Sequence, residues 1–403
     1  MTDEPDGAER YPTDLPSLAA TLVRIESENP TGNERESAEY VHDWFTHHDI
    51  DSAMVDDPDP DRPQVGATVG TGGPTLVLNG HLDVVPAGDR DEWTYPPYGG
   101  VVEDGRLYGR GSVDMKTGVA AAMLTALDLR PNIEDGELDG SLVVHAAMGE
   151  ETAEPGTRAL LDAGFDGDVG VVLEPTRCRV ATSEKGMAWY EISWPGEPAH
   201  ASDPDQGTNP IDHVRPVLAA LDDYDARLRD RSDPLCGRAY ATVTQMGAGT
   251  DSNKGVLAER TFLTLDRRIL PAETLGEVDD EIATVVDELN REYDIGATWE
   301  RAETYSSAEI PTDHRLAEIF REHSAAVVDA SPEPWGIRAS TDVREFVNHA
   351  GTPAITWGPG SLSQAHTVDE YIDLDDATSG LETLQRAARA VLTTEAAEFA
   401  RPE

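Results

Sequence analysis

Apolar residues recur with two different periods along the chain, and each period predicts a kind of element. Helical spacing predicts helices over residues 18–25, 34–45 and 119–129. Short apolar runs bounded by glycine or acidic turns predict buried strands over 75–78, 141–146 and 169–173. Helices that alternate with short buried strands are typical of an α/β sheet with parallel pairings, so we expect that fold here.

The pattern changes after residue 183 and returns after residue 303. Alternating and helical spacings predict the order β-α-β-β-α-β, over 187–194, 210–228, 239–246, 260–269, 272–292 and 297–303. This order is that of a ferredoxin-like α+β unit. The first pattern then resumes, with helices over 316–329 and 375–392 and a strand over 353–357. We therefore expect a discontinuous domain, 1–183 and 304–403, with a smaller domain inserted at 184–303.

The charge of the chain indicates its solvent and excludes one class of partner. Its 403 residues include 78 Asp and Glu against 31 Lys and Arg, a net charge of −47, and only three basic residues are lysine. Such self-repulsion destabilises a compact state, and it is screened near 1 M salt, where the Debye length is about 3 Å. We therefore expect a halophilic protein. With no basic stripe to neutralise phosphates, no nucleic-acid partner is expected.

Neither the N-terminal sequence, the apolar runs nor the cysteines indicate export or a membrane. The sequence begins MTDEPDGAER, with acids where a signal peptide needs a basic start, and no stretch approaches the roughly 18 apolar residues of a membrane span. Cys178 and Cys236 are too few for a disulfide framework and lie outside metal-like spacings. We expect a cytoplasmic protein with no membrane partner.

Residues suited to metal binding follow the predicted strands of the α/β domain. They are His81 and Asp83 after 75–78, Glu150 and Glu151 after 141–146, Glu174 after 169–173, and His366 after 353–357, with Asp114 at a helix start. Ligands of open α/β sheets bind at the carboxyl ends of the strands. Imidazole and carboxylate are both good zinc ligands. A lone His-x-Asp is a weak signal, but the whole set predicts a metal site.

The carboxylates of this set balance two divalent ions better than one. Three of them, Asp114, Glu151 and Glu174, together with a hydroxide, would neutralise two ions. Asp114 is the natural bridge, since one carboxylate has two oxygens. Gly149 permits a bend that brings Glu150 and Glu151 to one site, where one binds metal and the other accepts a proton.

These motifs resemble the zinc-dependent amidohydrolase and carboxypeptidase family that includes acetylornithine deacetylase, succinyl-diaminopimelate desuccinylase, aminoacylase and carboxypeptidase G. The resemblance rests on GHLDVVPAG, GRGSVDMKTG, GEET, LEPT, PAHASDPDQGTNPI and AHTVDEY, and it extends from about Tyr11 to Ala397. It implies a zinc-peptidase-like catalytic domain with a mixed, largely parallel sheet. The insertion would then be the ferredoxin-like lid and dimerisation domain.

The resemblance also implies individual roles. His81 and Glu174 would bind one zinc ion and Glu151 and His366 the other, with Asp114 bridging; cobalt or manganese would suit the same ligands. Glu150 would be the general base and then the proton donor. The carboxylate of Asp83 would orient the His81 ring. The peptide bond between Asp114 and Met115 is expected to be cis, although many relatives have a second acid where this chain has Met115.

The remaining implied residues concern the substrate. His200 of PAHAS matches a histidine that reaches the neighbouring subunit's active site, so a homodimer is expected. Five residues match substrate-binding positions: Asn253, Arg268, Thr341, Arg344 and Gly360. An arginine fork suits a substrate carboxylate. The expected reaction is amide hydrolysis of an N-acyl-L-amino acid. A metallo-carboxypeptidase or dipeptidase acting on short peptides is the alternative, and an inactive metal-binding scaffold is a remote one.

Overall fold

A computed structural model describes residues 10–30, 32–249 and 254–400 of the chain. These residues form two compact units. The first contains the chain up to Thr182, Glu309–Gly336 and the chain from Thr341 onward, and the second contains Ser183–Ala308 and Ile337–Ser340. The predicted insertion, 184–303, lies inside the second unit, and its role as a lid and dimerisation domain stays a prediction.

The helices of the described residues are α1 to α8 in chain order: Leu15–Arg24, Arg35–His47, Thr117–Glu134, Gly156–Asp162, Val214–Leu228, Leu275–Tyr293, Arg315–Val328 and Leu374–Leu392. The first nine strands are Asp51–Val55, Gln64–Val69, Thr75–His81, Val101–Glu103, Arg106–Tyr108, Ser141–Ala147, Val169–Val172, Ala181–Glu184 and Gly186–Pro195. Strands β10 to β18 are Ser232–Asp233, Gly237–Arg238, Tyr240–Ala248, Arg260–Ile269, Thr298–Tyr305, Ala308–Glu309, Trp335–Ile337, Ala354–Thr356 and Tyr371–Asp373. None of these helices is long and apolar enough to cross a bilayer.

The main sheet of the first unit is mixed, as the resemblance implies. Its strands follow the order β1-β2-β6-β3-β7-β17-β8. The central four, β6, β3, β7 and β17, pair in parallel, whereas β1, β2 and β8 pair antiparallel with their neighbours. Every residue of β6 is buried, as expected of a strand covered on both faces. Because β6, β3, β7 and β17 run parallel, their four carboxyl ends lie at the same edge of the sheet.

Helix α3 illustrates how packing overrides a local signal. The predicted helix ends at residue 129, before Pro131, but the structure continues it to Glu134. Proline costs roughly 3 kcal/mol inside a helix. Leu129 and Ile133 are both buried on either side of it, so burial of this face offsets that cost.

The second unit contains a four-stranded antiparallel sheet in the order β12-β13-β9-β14. With α5 after β9 and α6 after β13, this is the ferredoxin-like order predicted from the sequence. The apolar faces of both helices and the strands form one core cluster, which includes Tyr190, Leu221 and Ile282. Helix α6 begins at Leu275, because Thr274 and Glu277 form a capping box there.

Candidate metal centre

The predicted metal ligands lie around the carboxyl ends of the parallel strands. His81 is the last residue of β3, Glu150 and Glu151 form a short turn after β6, and Glu174 follows β7. Gly149 precedes the pair of glutamates with φ of 73°, in the left-handed region that glycine favours. The chain thus leaves the strand where the sequence predicts a bend, and both carboxylates belong to one cluster.

Asp114 lies between the two histidines. Its Oδ1 is 3.3 Å from His81 Nε2, and its Oδ2 is 3.3 Å from His366 Nε2. His81 Nε2 is also 3.6 Å from Glu174 Oε1, and His366 Nε2 is 3.1 Å from Glu151 Oε1. Each histidine therefore shares Asp114 with the other and has one glutamate of its own, which is the pairing that the resemblance implies.

The cluster also has the character of a metal site. Ligand atoms of His81, Asp114 and Glu151 lie within 4.8 Å of one another, and so do those of His81, Glu150 and Glu174. His81 is 1% exposed, and its Nε2 has no hydrogen-bond partner among the described residues. A buried ring nitrogen aimed at carboxylates fits a shared cation.

The electrostatics of the cluster favour a bound cation as well. Burial raises the pKa of Glu174 to about 7 and also raises the pKa of Glu151. In both cases the negative charge of Asp114 is the second-largest cause. Burial also raises the pKa of Glu150 well above its ordinary value. Hydrogen bonds to Asp114 and Glu151 raise the pKa of His366 to about 10. Crowded carboxylates that resist ionisation are stabilised by a nearby positive charge.

Asp83 supports the glutamates more directly than it supports His81. Its carboxylate accepts the main-chain N–H of Glu150 at 3.2 Å and of Glu151 at 3.0 Å, and the Asn29 side-chain amide at 2.6 Å. His81 Nδ1 lies 2.9 Å from the main-chain oxygen of Asp83 and 3.6 Å from its carboxylate. The ring is thus held by the main-chain oxygen of Asp83, where we expected its carboxylate, which instead accepts the two N–H groups and the Asn29 amide.

Three residues predicted to bind substrate belong to the first unit. Thr341 is 3% exposed, with its hydroxyl 3.2 Å from that of Thr356. Arg344 is 4% exposed, with Nη2 3.1 Å from Asp342 Oδ1 and Nη1 3.6 Å from Glu150 Oε1. Its guanidinium therefore lies beside the predicted general base. Gly360 has φ of 82°, and a Cβ there would lie 2.5 Å from Val113 Cγ2.

The other predicted residues belong to the second unit or lie outside the described residues. His200 is exposed, with Nδ1 2.7 Å from the Ser202 hydroxyl. Arg268 is one-third exposed, and its Nε and Nη2 donate to the two oxygens of Asp266 at 2.8 and 3.0 Å. Asn253 lies outside the described residues.

Sequence reasoning assigned no role to Arg110 and Glu370. Arg110 Nη1 lies 2.6 Å from Glu370 Oε2, and both side chains are almost fully buried. Glu370 Oε1 accepts the N–H of Asp114 at 3.2 Å. The peptide bond between Asp114 and Met115 is cis, as expected. Both missed residues stand inside motifs that carry the resemblance, GRGSVDMKTG and AHTVDEY, so their position was the available signal.

A mixed α/β sheet with histidines and carboxylates gathered at its parallel strand ends is typical of a metal-dependent hydrolase. Residues 77–390 match the family described as peptidase family M20/M25/M40. The chain belongs to this family and is a hydrolase, which confirms the resemblance drawn from the motifs.

Two relatives and two solved structures illustrate the similarity. A probable succinyl-diaminopimelate desuccinylase of Staphylococcus epidermidis is 27% identical over 400 residues, 93% of this chain and 97% of the relative. An acetylornithine deacetylase of Proteus mirabilis is 29% identical over 316 residues, 76% of this chain and 77% of the relative.

The two structures share the fold at lower identity. An M20 family metallo-carboxypeptidase from Sulfolobus solfataricus matches with a TM-score of 0.77 at 16% identity, covering 94% of this chain and 100% of the other. A dinuclear metal-binding M20 peptidase from Bacillus subtilis matches with a TM-score of 0.68 at 16% identity, covering 96% and 100%.

Proposed function

We propose that this protein is a two-metal hydrolase that cleaves the amide bond of an N-acyl-L-amino acid. His81 and Glu174 would hold one divalent ion and Glu151 and His366 the other, with Asp114 shared. The observation that carries the proposal is Asp114, whose two oxygens each lie 3.3 Å from a different histidine. Zinc is the proposed metal, and cobalt or manganese would suit the same ligands.

Bound divalent ions would supply Lewis acidity to the scissile carbonyl and to the attacking water. Glu150 is the proposed general base: its carboxylate lies in the same cluster as His81 and Glu174 but is not among the proposed ligands, so it can take a proton from water and return it to the leaving amine. Asp83 fixes the Glu150 main chain, and the Arg344 guanidinium lies beside the Glu150 carboxylate. His200 is the proposed oxyanion-stabilising donor, provided by the partner subunit of a homodimer.

The acyl amino acid class is supported by the names of the relatives. The two relatives described above are a probable desuccinylase and a deacetylase, and both align with most of this chain. Arg268 and Arg344 would suit a substrate carboxylate. Peptide hydrolysis is the second candidate, because a metallo-carboxypeptidase shares the fold.

A substrate panel tests this proposal. Metal-loaded protein in about 1 M KCl, where surface repulsion is screened, is offered acetyl-, succinyl- and aminoacyl-amino acids beside dipeptides, and released amine is measured. We expect the highest kcat/KM on an N-acetyl or N-succinyl amino acid. Dipeptides preferred over every acyl amino acid would support the peptidase instead, and no hydrolysis of any amide would contradict both.

A further inference from the structure

Arg110 and Glu370 form a buried ion pair. Three chain segments meet at this pair, and each segment is next to a candidate ligand in the sequence. The side chains are 4% and 1% exposed, with Nη1 2.6 Å from Oε2. Their sequence separation is 260 residues, so the pair joins two segments that are far apart along the chain. Neither residue belongs to the proposed ligands or to the proposed acid–base group.

Glu370 fixes the main chain that carries Asp114. Its Oε1 accepts the N–H of Val113 at 2.9 Å and that of Asp114 at 3.2 Å, and its main-chain oxygen accepts the N–H of Gly109 at 2.9 Å. Because Glu370 lies four residues after His366, the same carboxylate ties the segment after one ligand to the peptide of another.

Arg110 extends the connection to the segment after His81. Besides Glu370, it donates to the main-chain oxygen of Thr367 at 3.3 Å and to that of Pro86 at 3.4 Å, and its guanidinium lies 5.2 Å from the Trp93 ring centre. Thr367 directly follows His366. A rigid fork with five donors can make such contacts at once, whereas an ammonium group cannot reproduce their geometry.

A buried charge that loses its partner is strongly destabilising, so the two groups depend on each other. Groups behind metal ligands set ligand orientation, and their loss typically weakens metal binding roughly 10- to 100-fold. We propose that the Arg110–Glu370 pair positions Asp114 and His366 relative to each other and thereby sets the metal affinity of the centre. This inference rests on the proposed function, because it takes those two residues as ligands.

The test is Glu370→Gln in the full chain. Glutamine keeps the shape and an oxygen for the N–H groups but removes the charge that Arg110 needs. Metal-free protein is titrated with Zn²⁺ against a competing chelator, and the visible spectrum is recorded with saturating Co²⁺. We expect Zn²⁺ binding roughly 10- to 100-fold weaker than in the wild type, with an altered Co²⁺ spectrum.

Glu273→Gln is the matched control. Glu273 also accepts a main-chain N–H, from Leu270 at 2.8 Å, and it pairs with the buried Arg267 at 2.7 Å, but it belongs to the second unit. This variant should lose stability and keep both the wild-type affinity and the wild-type spectrum. Arg110→Lys keeps the cation but not the fork, so it should fold and still bind metal more weakly.

Unchanged affinity and spectrum in both Glu370→Gln and Arg110→Lys would overturn the inference, and so would an equal loss in Glu273→Gln. These outcomes leave the proposed function intact, because the wild type still binds metal. Wild-type protein that binds no divalent ion would instead overturn the proposed function and this inference with it.

Discussion

At the scale of residues, the hydrogen-bond partners of two buried histidines of the first unit distinguish a candidate metal ligand from a structural group. His145 and His81 are both at most 1% exposed. His145 Nε2 lies 2.7 Å from the Phe165 main-chain oxygen, and its Nδ1 lies 3.3 Å from the Asn79 amide nitrogen. This arrangement suits a neutral ring that donates from Nε2 and accepts at Nδ1. The Nε2 of His81 instead lies 3.3 Å from a carboxylate oxygen of Asp114 and 3.6 Å from one of Glu174, so the same burial has a different chemical meaning.

The His145 environment predicts a pH dependence of stability. Burial lowers the pKa of His145 to about 4 from its ordinary 6.5. Between these values the unfolded chain binds the proton and the folded chain does not, so stability falls as pH falls from about 6.5 to about 4. His145→Gln removes this group. We expect the wild type to lose about 2 kcal/mol more than the variant between pH 7 and pH 5, measured by urea unfolding at each pH. Parallel losses in both proteins would contradict this assignment.

At the scale of elements, buried strands were predictable and their long-range partners were not. The predicted strand over 141–146 is β6, Ser141–Ala147, because burial on both faces leaves a continuous apolar run. Its antiparallel neighbour β2 and the next strand, β1, were not predicted, and β1 is exposed or half-buried throughout. The residues of the candidate metal cluster were predictable from their positions near strand ends. The Arg110–Glu370 pair was not predictable, because a contact between residues 260 apart in the sequence produces no local periodic pattern.

A substitution at Gly360 tests how closely the turn at this residue must approach the segment that contains Val113. Gly360 has φ of 82°, and an added Cβ would lie 2.5 Å from Val113 Cγ2, next to Asp114. Gly136 has a similar φ of 72° with no atom within 4 Å of such a Cβ. Gly136→Ala should therefore cost only the backbone strain, about 1 kcal/mol, whereas Gly360→Ala should cost at least about 2 kcal/mol and weaken metal binding. Unfolding and Zn²⁺ titrations compare them, and equal behaviour would contradict the tight approach.

At the scale of the whole molecule, the net charge of −47 describes the surface and not the site. The few lysines are consistent with a surface made mainly of acidic side chains, because two of them are buried. Lys116 is fully buried, and its Nζ donates to the main-chain oxygens of Leu22 and Ile25 at 3.1 and 2.6 Å, at the carboxyl end of α1. Lys185 is also buried and donates to the main-chain oxygen of Arg238. Two of the three lysines thus have internal roles.

The surface charge predicts that stability and activity rise with salt. Raising KCl from about 0.1 M to about 1 M shortens the Debye length from about 10 Å to about 3 Å and removes most repulsion between carboxylates. The free energy of unfolding and kcat/KM should both increase over this range, measured on metal-loaded protein. A protein that is fully folded and fully active in dilute buffer would contradict the halophilic interpretation.

The most direct test of the central claim is the turnover and metal content of Glu150→Gln, measured on one sample. If Glu150 is the general base of a two-metal hydrolase, the variant keeps two ions per chain and loses roughly 10²- to 10⁴-fold in kcat. Ligand atoms of His81, Glu150 and Glu174 also lie within 4.8 Å of one another, so Glu150 could itself bind metal. The metal content of the variant therefore shows whether Glu150 acts as a base or as a ligand. A variant that retains wild-type turnover, or one that loses an ion together with its activity, would contradict the account.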